Sequence, residues 1–266
     1  MSESRTSCSI SSKASVLLEE DYGEARSSCV LVVEGEQLVG ILTQGDIIRL
    51  CTEKRPLEQL LVGEVMTASV LSWRESELSN FFEVIDLLRK NQICHLPLVD
   101  DSDRLVGLIT HETLRYISHP IDLLRLRTVE EVMTTEVICA SPESNLLEIA
   151  CLMTQYRVNC VVLVETDFVN NSTDVNVPVG ILTEGDIVKF NTFCLDLENY
   201  SSQQLMSTPV FSVAKNENLW RIHELMSSQY IRRVLVTGSH GELLGIVTQT
   251  SMLKVLNPLE LYKMTE

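Results

Sequence analysis

The apolar residues of the chain fall into short runs of strand length and into longer stretches of helical spacing. Runs such as Cys29 to Val33 and Cys160 to Val164 are rich in valine and end at polar residues. Between Leu146 and Met153, apolar residues recur three and four positions apart, which is the spacing of one helix face. No apolar run approaches the roughly 18 residues that a membrane helix needs. The pattern therefore predicts an α/β protein without a membrane span.

One segment recurs four times along the chain and divides it into repeats. Its copies are Gly40-Ile-Leu-Thr-Gln-Gly-Asp-Ile, Gly107-Leu-Ile-Thr-His-Glu-Thr-Leu, Gly180-Ile-Leu-Thr-Glu-Gly-Asp-Ile and Gly245-Ile-Val-Thr-Gln-Thr-Ser-Met. A second marker keeps the same phase, as Val65-Met66-Thr67, Val132-Met133-Thr134 and Leu205-Met206-Ser207. Two markers in phase indicate a repeat architecture. We place the repeats at residues 1–55, 56–120, 121–195 and 196–266.

The third repeat gives the clearest order of elements. A short strand at 137–140 leads into a helix that we expect to begin at Ser141, with Pro142 in its first turn. Strands follow at 159–165 and 179–183, and a second helix opens at Gly185-Asp186. The predicted order in each repeat is therefore β-α-β-β-α.

Two repeats depart from this order. The third carries a polar insertion from Thr166 to Asn176, which we expect to form a long loop between its last two strands. The first lacks the Met-Thr marker. In its place stands a candidate helix that puts these residues on one face: Ala14, Leu17, Leu18, Tyr22 and Ala25. We expect the first repeat to be loosely built at this end.

The turn after the last strand of a repeat has candidate binding chemistry. Thr43 ends a strand and Asp46 stands in the first turn of the next helix, and Thr183 and Asp186 repeat the arrangement. The helix N-terminus favours a phosphate, and an ionised aspartate accepts two hydrogen bonds from a ribose diol. The same Thr-x-x-Asp pattern is a capping box that needs no ligand, so both interpretations stay open. Repeats 2 and 4 keep the threonine but replace the acid by Thr113 and Ser251.

Composition excludes several functional classes. The formal net charge of −16 at pH 7, without clusters of Lys and Arg, argues against nucleic acid as a partner. The 8 cysteines form no metal-ligand spacing, and their apolar surroundings predict reduced, buried thiols. The chain has no nucleophile elbow, P-loop or dinucleotide fingerprint, so we expect neither an enzyme nor a metal site. The N-terminus has no apolar signal region, which predicts a cytoplasmic protein.

The β-α-β-β-α repeat, with Met-Thr before it and Gly-h-h-Thr-x-x-Asp at its last turn (h marks an apolar residue), resembles the cystathionine-β-synthase (CBS) domain. The resemblance covers essentially the whole chain and implies four CBS repeats arranged as two pseudo-twofold pairs, called Bateman modules. It further implies that adenosine derivatives such as AMP, ADP, ATP or S-adenosylmethionine bind in clefts between the paired sheets. No other cofactor is expected.

The resemblance also assigns site positions, residue by residue. The turns contribute Thr43 and Asp46, Thr110, Thr183 and Asp186, and Thr248 and Ser251. The positions before and in the first strand are Thr67 and Val70, Thr134 and Val137, and Ser207 and Val210. The second strand begins with Ser28-Cys29, His95-Leu96, Asn159-Cys160 and Arg232-Arg233. In such sites apolar members would flank adenine, whereas Arg232, Arg233 or His95 would meet a phosphate. Asp186 is the favoured diol acceptor, because the third repeat retains its front marker.

A sensory role follows from the resemblance. Similar double modules in bacterial and cyanobacterial signalling proteins precede a kinase or cyclase, so we expect a C-terminal or separate effector of that type. We also expect a homodimer formed through apolar helical faces, which contain Phe81, Phe82, Ile85, Leu88, Leu219, Ile222, Leu225 and Met226. The alternative is a ligand-free structural scaffold that dimerises or docks a partner protein.

Overall fold

The computed structural model describes residues 14–17, 28–77, 81–110, 121–169 and 173–253. Within these ranges each repeat contributes one three-stranded sheet. Repeat 1 contains β1 (Ala14–Leu17), β2 (Cys29–Glu34), β3 (Gln37–Thr43) and α1 (Gln44–Thr52). Repeat 2 contains α2 (Val62–Val65), β4 (Trp73–Arg74), α3 (Phe81–Asn91), β5 (His95–Val99) and β6 (Leu105–Thr110). Its predicted last helix, with His111 and Thr113, lies outside the described residues.

The second half of the chain follows the same order. Repeat 3 contains α4 (Ile121–Leu126), β7 (Cys139–Ala140), α5 (Leu146–Tyr156), β8 (Cys160–Val169), β9 (Thr173–Thr183) and α6 (Glu184–Thr192). Repeat 4 contains α7 (Ser202–Leu205), β10 (Ser212–Ala214), α8 (Leu219–Ser228), β11 (Arg233–Thr237), β12 (Leu243–Thr248) and α9 (Gln249–Met252). Single 3-10 turns lie at Leu57–Gln59, Glu75–Glu77 and Val129–Glu131.

The strand pairing confirms the predicted fold class. In repeats 2, 3 and 4 the first strand pairs in parallel with the second, and the second pairs antiparallel with the third. A parallel pair needs a crossover, which α3, α5 and α8 supply, whereas the antiparallel pair needs only a turn. The mixed α/β architecture thus repeats along the chain.

The start of repeat 1 differs from its prediction. Ala14 to Leu17 form strand β1, antiparallel to β2 with Ala14 opposite Glu34 and Leu17 opposite Leu31, so the candidate helix is wrong over these residues. In the other repeats, a parallel strand pairs with the second strand on the side away from the third strand. In repeat 1 the antiparallel strand β1 takes this place and supplies backbone hydrogen-bond partners to β2. The rest of the candidate helix, with Leu18, Tyr22 and Ala25, lies outside the described residues.

Two predicted boundaries in repeat 3 are also wrong. Helix α5 begins at Leu146, because Asn145 is its N-cap and accepts a hydrogen bond from the Glu148 backbone N–H at 2.9 Å. The Ser141 hydroxyl instead accepts one from Glu143 N at 3.2 Å, which closes a turn before the helix. The polar insertion is largely an extension of β8 and β9, paired from Glu165 opposite Val177 to Val169 opposite Thr173. Alternating β-branched residues such as Thr173, Val175 and Val177 favour strand over loop.

The two sequence markers keep phase because they touch in the structure. A Cβ added at Gly40 would lie 2.2 Å from Sδ of Met66, and one at Gly180 would lie 2.1 Å from Sδ of Met206. A Cβ at Gly245 would meet the carbonyl oxygen of Thr134 at 2.8 Å and Met133 beside it. The Met-Thr marker of one repeat therefore packs on the glycine of its neighbour. This contact joins repeat 1 to repeat 2 and repeat 3 to repeat 4.

Backbone hydrogen bonds complete the pairing. Thr67 and Ile41 exchange two bonds of 2.8 and 3.0 Å, and Thr134 and Ile246 exchange two of 2.9 Å. Ser207 and Ile181 exchange two bonds in the same way, but here the marker belongs to repeat 4 and the strand to repeat 3. The two reciprocal exchanges give the second pair its pseudo-twofold symmetry. The sheets of each pair also share an apolar layer, which for repeats 3 and 4 contains Val162, Leu235 and Ile246.

The two pairs are joined by shared cores within the one chain. Ile48 and Cys51 of α1 are buried in the same cluster as Leu146, Ile149 and other residues of repeat 3. Leu253, after the last helix of repeat 4, is buried with residues of repeat 2 that include Ile85 and Leu88.

The helical faces on which a homodimer was expected are therefore largely used inside the chain. Ile85, Leu88, Leu219, Ile222 and Met226 are buried in these intramolecular cores. Leu225 packs against the same core as Leu219, and the side chains of Phe81 and Phe82 lie outside the described part of the chain.

Candidate functional site

The Thr-x-x-Asp turns form complete capping boxes. Thr43 is the N-cap of α1, and Asp46 Oδ2 accepts hydrogen bonds from the Thr43 N–H at 2.9 Å and from its hydroxyl at 2.7 Å. Thr183 and Asp186 repeat these bonds at 2.9 and 2.6 Å. In repeat 4 the Ser251 hydroxyl oxygen accepts from Thr248 N at 2.7 Å, so serine replaces the acid in the same role.

Capping does not use the whole carboxylate. Both bonds at each aspartate go to Oδ2, and within the described part of the chain the second oxygen of Asp46 bonds only to Arg49 Nη2, at 3.5 Å. Among the described residues, no hydrogen bond reaches the second oxygen of Asp186. A diol could therefore bind at either aspartate while the helix cap stays intact.

A cavity of about 1360 Å³ lies where the four repeats meet. Most residues proposed from the sequence line it, and they come from every repeat: Thr43, Asp46, Thr67, Val70, His95, Thr110, Thr134, Val137, Asn159, Cys160, Arg232, Arg233 and Thr248. Thr183, Asp186 and Ser251 do not line this cavity. The structure thus brings Asp46 to the cavity and leaves Asp186, the aspartate favoured from sequence, away from it.

The first residues of the second strands face each other within each pair. The Ser28 hydroxyl lies 2.6 Å from Nε2 of His95, a hydrogen-bond contact between repeats 1 and 2. In repeats 3 and 4, Arg233 donates from Nε to Asn159 Oδ1 and from Nη2 to the Asn159 carbonyl oxygen, both at 3.3 Å. All four of these residues line the cavity.

The cavity lining is richer in arginine than the acidic chain would suggest. Four arginines line it, namely Arg89, Arg157, Arg232 and Arg233, against three carboxylates, Asp46, Glu136 and Glu184. The whole chain carries a formal charge of −16. Because arginine pairs with phosphate through a fork of N–H donors, this local balance favours an anionic ligand.

Glu184 is a cavity residue that the sequence analysis did not single out. It precedes Gly185 and Asp186 in the repeat 3 turn, where repeat 1 has Gln44. Burial raises the pKa of the Glu184 carboxyl, Arg233 acts in the opposite direction, and Asp46 raises it further. The only sequence signal was a charged residue inside the turn motif.

The turns of repeats 1 and 3 face each other across the cavity edge. A Cβ added at Gly45 would lie 3.5 Å from Oε1 of Glu184, and one at Gly185 would lie 3.5 Å from Nε2 of Gln44. Both distances are ordinary van der Waals contacts, so the opposite side chain packs beside each turn. This reciprocal contact places Glu184 beside repeat 1 as well as repeat 4.

Two thiols also line the cavity, Cys94 with an exposed side chain and Cys160 half-buried, so the buried thiols expected from the sequence are wrong at Cys94. Partial desolvation raises the pKa of the Cys94 thiol, Glu184 raises it further, and Arg233 and Arg232 lower it. Burial also raises the pKa of Cys160. Among the described residues, no group of His, Cys, Asp and Glu is arranged to hold a metal ion. Within the same ranges, no helix has the length and apolarity to span a membrane.

Comparison with known families identifies the repeat. A model of the CBS domain matches residues 3–53, 62–119, 129–191 and 202–258. The chain therefore belongs to the CBS-domain family, and the resemblance inferred from its sequence is confirmed.

Proteins of known sequence or structure are similar to half of this chain or more. The chain is 32% identical over 133 residues to the uncharacterized protein MK0525 of Methanopyrus kandleri, covering 50% of this chain and 64% of that protein. It is 24% identical to MJ1225 of Methanocaldococcus jannaschii, covering 90% of each. The crystal structure of MJ1225 superposes with a TM-score of 0.72 over 88% of this chain and 89% of that one, at 21% identity. An uncharacterized conserved protein of Pyrococcus horikoshii superposes with a TM-score of 0.61 at 16% identity, over 91% and 97% of the two chains.

Proposed function

We propose that this protein is a regulatory module that binds a phosphorylated adenosine derivative, AMP, ADP or ATP, in the cavity between its repeats. The observation that carries the proposal is the convergence of the Thr43–Asp46 turn with Arg232 and Arg233 on one cavity. An adenosine phosphate has a diol and a phosphate that match these two groups. The same cavity would admit S-adenosylmethionine, whose diol is identical but which carries no phosphate.

Several of the lining residues have a defined role in the proposed complex. The second carboxylate oxygen of Asp46 accepts hydrogen bonds from the ribose diol, and the Thr43 hydroxyl lies beside it. Arg232 and Arg233 bind the phosphate through charge-assisted hydrogen bonds. Val70 and Val137, which also line the cavity, provide apolar contacts for adenine. His95 begins β5 as Arg233 begins β11, and it supplies a further polar contact.

A relative supports the regulatory part of the proposal. MJ1225, which matches 90% of this chain, has been described as a proposed archaeal homologue of g-AMPK. That description supports AMP among the candidate ligands and a kinase-type effector, either attached at the C-terminus or separate. An effector of the cyclase type stays a second possibility. The proposal assigns no catalytic role to the described residues.

A ligand-free scaffold is the second candidate function. The complete capping boxes at Thr43 and Thr183 favour it, because both helices are satisfied without any ligand. In this case the repeats would dimerise or dock a partner protein, and the cavity arginines would bind no ligand.

A thermal-shift panel of AMP, ADP, ATP, S-adenosylmethionine and NAD separates the two candidates. A ligand that binds only the folded chain stabilises it by about 2.7 kcal/mol at a hundredfold excess over its Kd. Each kcal/mol raises Tm by roughly 2–4 °C in a chain of this size class. We expect AMP, ADP or ATP to raise Tm by several degrees, with guanosine phosphates as the control. A panel without any shift would favour the scaffold.

Several finer assignments stay predictions. They include the repeat boundaries at 1–55, 56–120, 121–195 and 196–266, the cytoplasmic location and the homodimer. The expected relation to bacterial signalling proteins also stays a prediction, and the relatives described above are archaeal.

A further inference from the structure

Glu184 has the setting of a group that senses charge in the cavity. It lies in the cavity lining, and its carboxylate reaches over Gly45 of repeat 1. The charged groups that act on it come from two other repeats, Arg233 on β11 and Asp46 on α1. The Asn159 carbonyl oxygen accepts hydrogen bonds both from Arg233 Nη2, at 3.3 Å, and from the Glu184 backbone N–H, at 3.2 Å, so the guanidinium lies close to Glu184 without an ion pair between them. The thiols of Cys94 and Cys160 also lie within its electrostatic reach.

We propose that Glu184 makes ligand binding proton-linked, because its ionised carboxylate and the ligand's phosphate both lie in the field of Arg233, and Glu184 takes up one proton from solvent when the phosphate binds. The inference rests on the proposed function and adds a regulatory residue to it. It predicts a cavity that favours anionic ligands at lower pH and disfavours them once Glu184 is ionised.

A bound phosphate shifts the protonation of Glu184 in one direction. A phosphate at Arg233 adds negative charge beside Glu184 and offsets the positive charge of the guanidinium, and both changes disfavour the carboxylate form. Burial already raises the pKa of Glu184, so the protonated form needs less further stabilisation than at an exposed glutamate. By linkage, proton uptake on binding means that affinity falls as pH rises through the titration of Glu184.

The chain itself provides a conservative test variant. Gln44 of repeat 1 stands at the position of Glu184 in repeat 3, within Thr-Gln-Gly-Asp-Ile against Thr-Glu-Gly-Asp-Ile. Glu184→Gln therefore reproduces a turn that already folds in this protein. It removes the titrating proton and keeps the side-chain shape. Glu136→Gln is the matched control, because Glu136 also lines the cavity but is exposed to solvent.

The experiment measures AMP affinity by calorimetry for the full chain from about pH 5 to about pH 8, where folded proteins are generally most stable. AMP titrates in this range itself, with a phosphate pKa near 6, so the readout is the ratio of wild-type to variant Kd at each pH. We expect Glu184→Gln to match the wild type at the low end and to bind about tenfold more tightly at the high end, for a coupling of one pKa unit. Adenosine, which has no phosphate, should give a flat ratio.

Each outcome decides a separate point. A ratio for Glu184→Gln that is constant with pH would overturn the proton linkage while leaving AMP binding intact. The same rise for Glu136→Gln would overturn it as well, because the effect would then be one of general cavity charge. If neither wild type nor variant binds AMP at any pH, the proposed function itself fails.

Discussion

Asp46 and Asp186 occupy the same position of the same turn, and each accepts two hydrogen bonds from its N-cap threonine at one carboxylate oxygen. Their surroundings differ, because only Asp46 lines the cavity between the repeats. The local sequence cannot distinguish them. The difference depends on which repeat packs against each turn, and the role of either aspartate in ligand binding stays a prediction.

The capping geometry predicts equal stability effects for the two aspartates. Asp46→Ala and Asp186→Ala each remove one half of a capping box with nearly identical distances. Loss of a helix cap costs roughly 0.5–2 kcal/mol, and each kcal/mol lowers Tm by roughly 2–4 °C. Differential scanning calorimetry of the apo protein should give matching decreases. An unchanged Tm for either variant would show that its box does not stabilise the helix.

At the scale of elements, the glycine of each last strand is a packing position. Met66, Met133 and Met206 fill the space beside Gly40, Gly245 and Gly180. Gly107 differs, since repeat 1 has no Met-Thr marker, and among the described residues a Cβ there would meet only Leu98, at 3.7 Å. Within the described residues, the glycine opposite the repeat without a Met-Thr marker has no methionine contact.

Gly245→Ala and Gly107→Ala form a matched pair that tests this contact. At Gly245 the new methyl would lie 2.8 Å from the carbonyl oxygen of Thr134, so the backbone of the neighbouring repeat must shift. We expect a loss of about 1–3 kcal/mol, as for other overpacked positions. Gly107→Ala should be neutral, because its nearest contact is an ordinary one. Urea unfolding measures both, and equal midpoints would contradict the packing role of the glycine.

The order of elements could be predicted because it depends on local periodicity, whereas some boundaries could not. The α5 start was misplaced at Ser141 because Ser-Pro is a common helix start, but Asn145 and Glu148 form the better box. The polar residues of Thr166 to Asn176 suggested a loop, but most of them form strands because β8 and β9 pair through this segment. At Ala14 to Leu17, an open sheet edge outweighed the helical spacing.

At the scale of the whole molecule, the two Bateman modules share two hydrophobic cores. Ile48 and Cys51 of repeat 1 are buried with the core of repeat 3, and Leu253 of repeat 4 is buried with that of repeat 2. Lys54 and Glu198 add an ion pair between repeat 1 and the segment before α7. Separation of the modules would expose both shared cores to water.

The chain's two tryptophans can test whether the two modules unfold together, because Trp73 packs in the core of repeat 2 and Trp220 packs in that of repeat 4. In Trp220→Phe the fluorescence reports the first module, and in Trp73→Phe it reports the second. We expect each single-tryptophan variant to unfold in urea at the same midpoint by fluorescence as by circular dichroism, as in a two-state transition. A fluorescence midpoint that departs from the circular dichroism of the same variant would show that the modules unfold independently.

The cavity could be predicted only in part from the sequence. The turn and strand-start positions follow from the repeat, and most of them do line it. The meeting of Gly45 with Glu184 depends on how repeats 1 and 3 pack, and the excess of arginine among the lining residues depends on how repeats 2, 3 and 4 meet at the cavity. No local pattern encodes that packing, because its contacts join residues far apart in the chain.

The central claim is that the cavity between the repeats binds an adenosine phosphate through Asp46. Calorimetric titration of AMP into the wild type, Asp46→Ala and Asp186→Ala tests it most directly, because both variants lose the same cap and only one loses a cavity residue. We expect saturable binding to the wild type and to Asp186→Ala. Asp46→Ala should raise Kd roughly tenfold to hundredfold, the effect of losing a charge-assisted hydrogen bond of about 1.5–3 kcal/mol. Equal affinities for all three proteins, or a loss of binding confined to Asp186→Ala, would contradict the account.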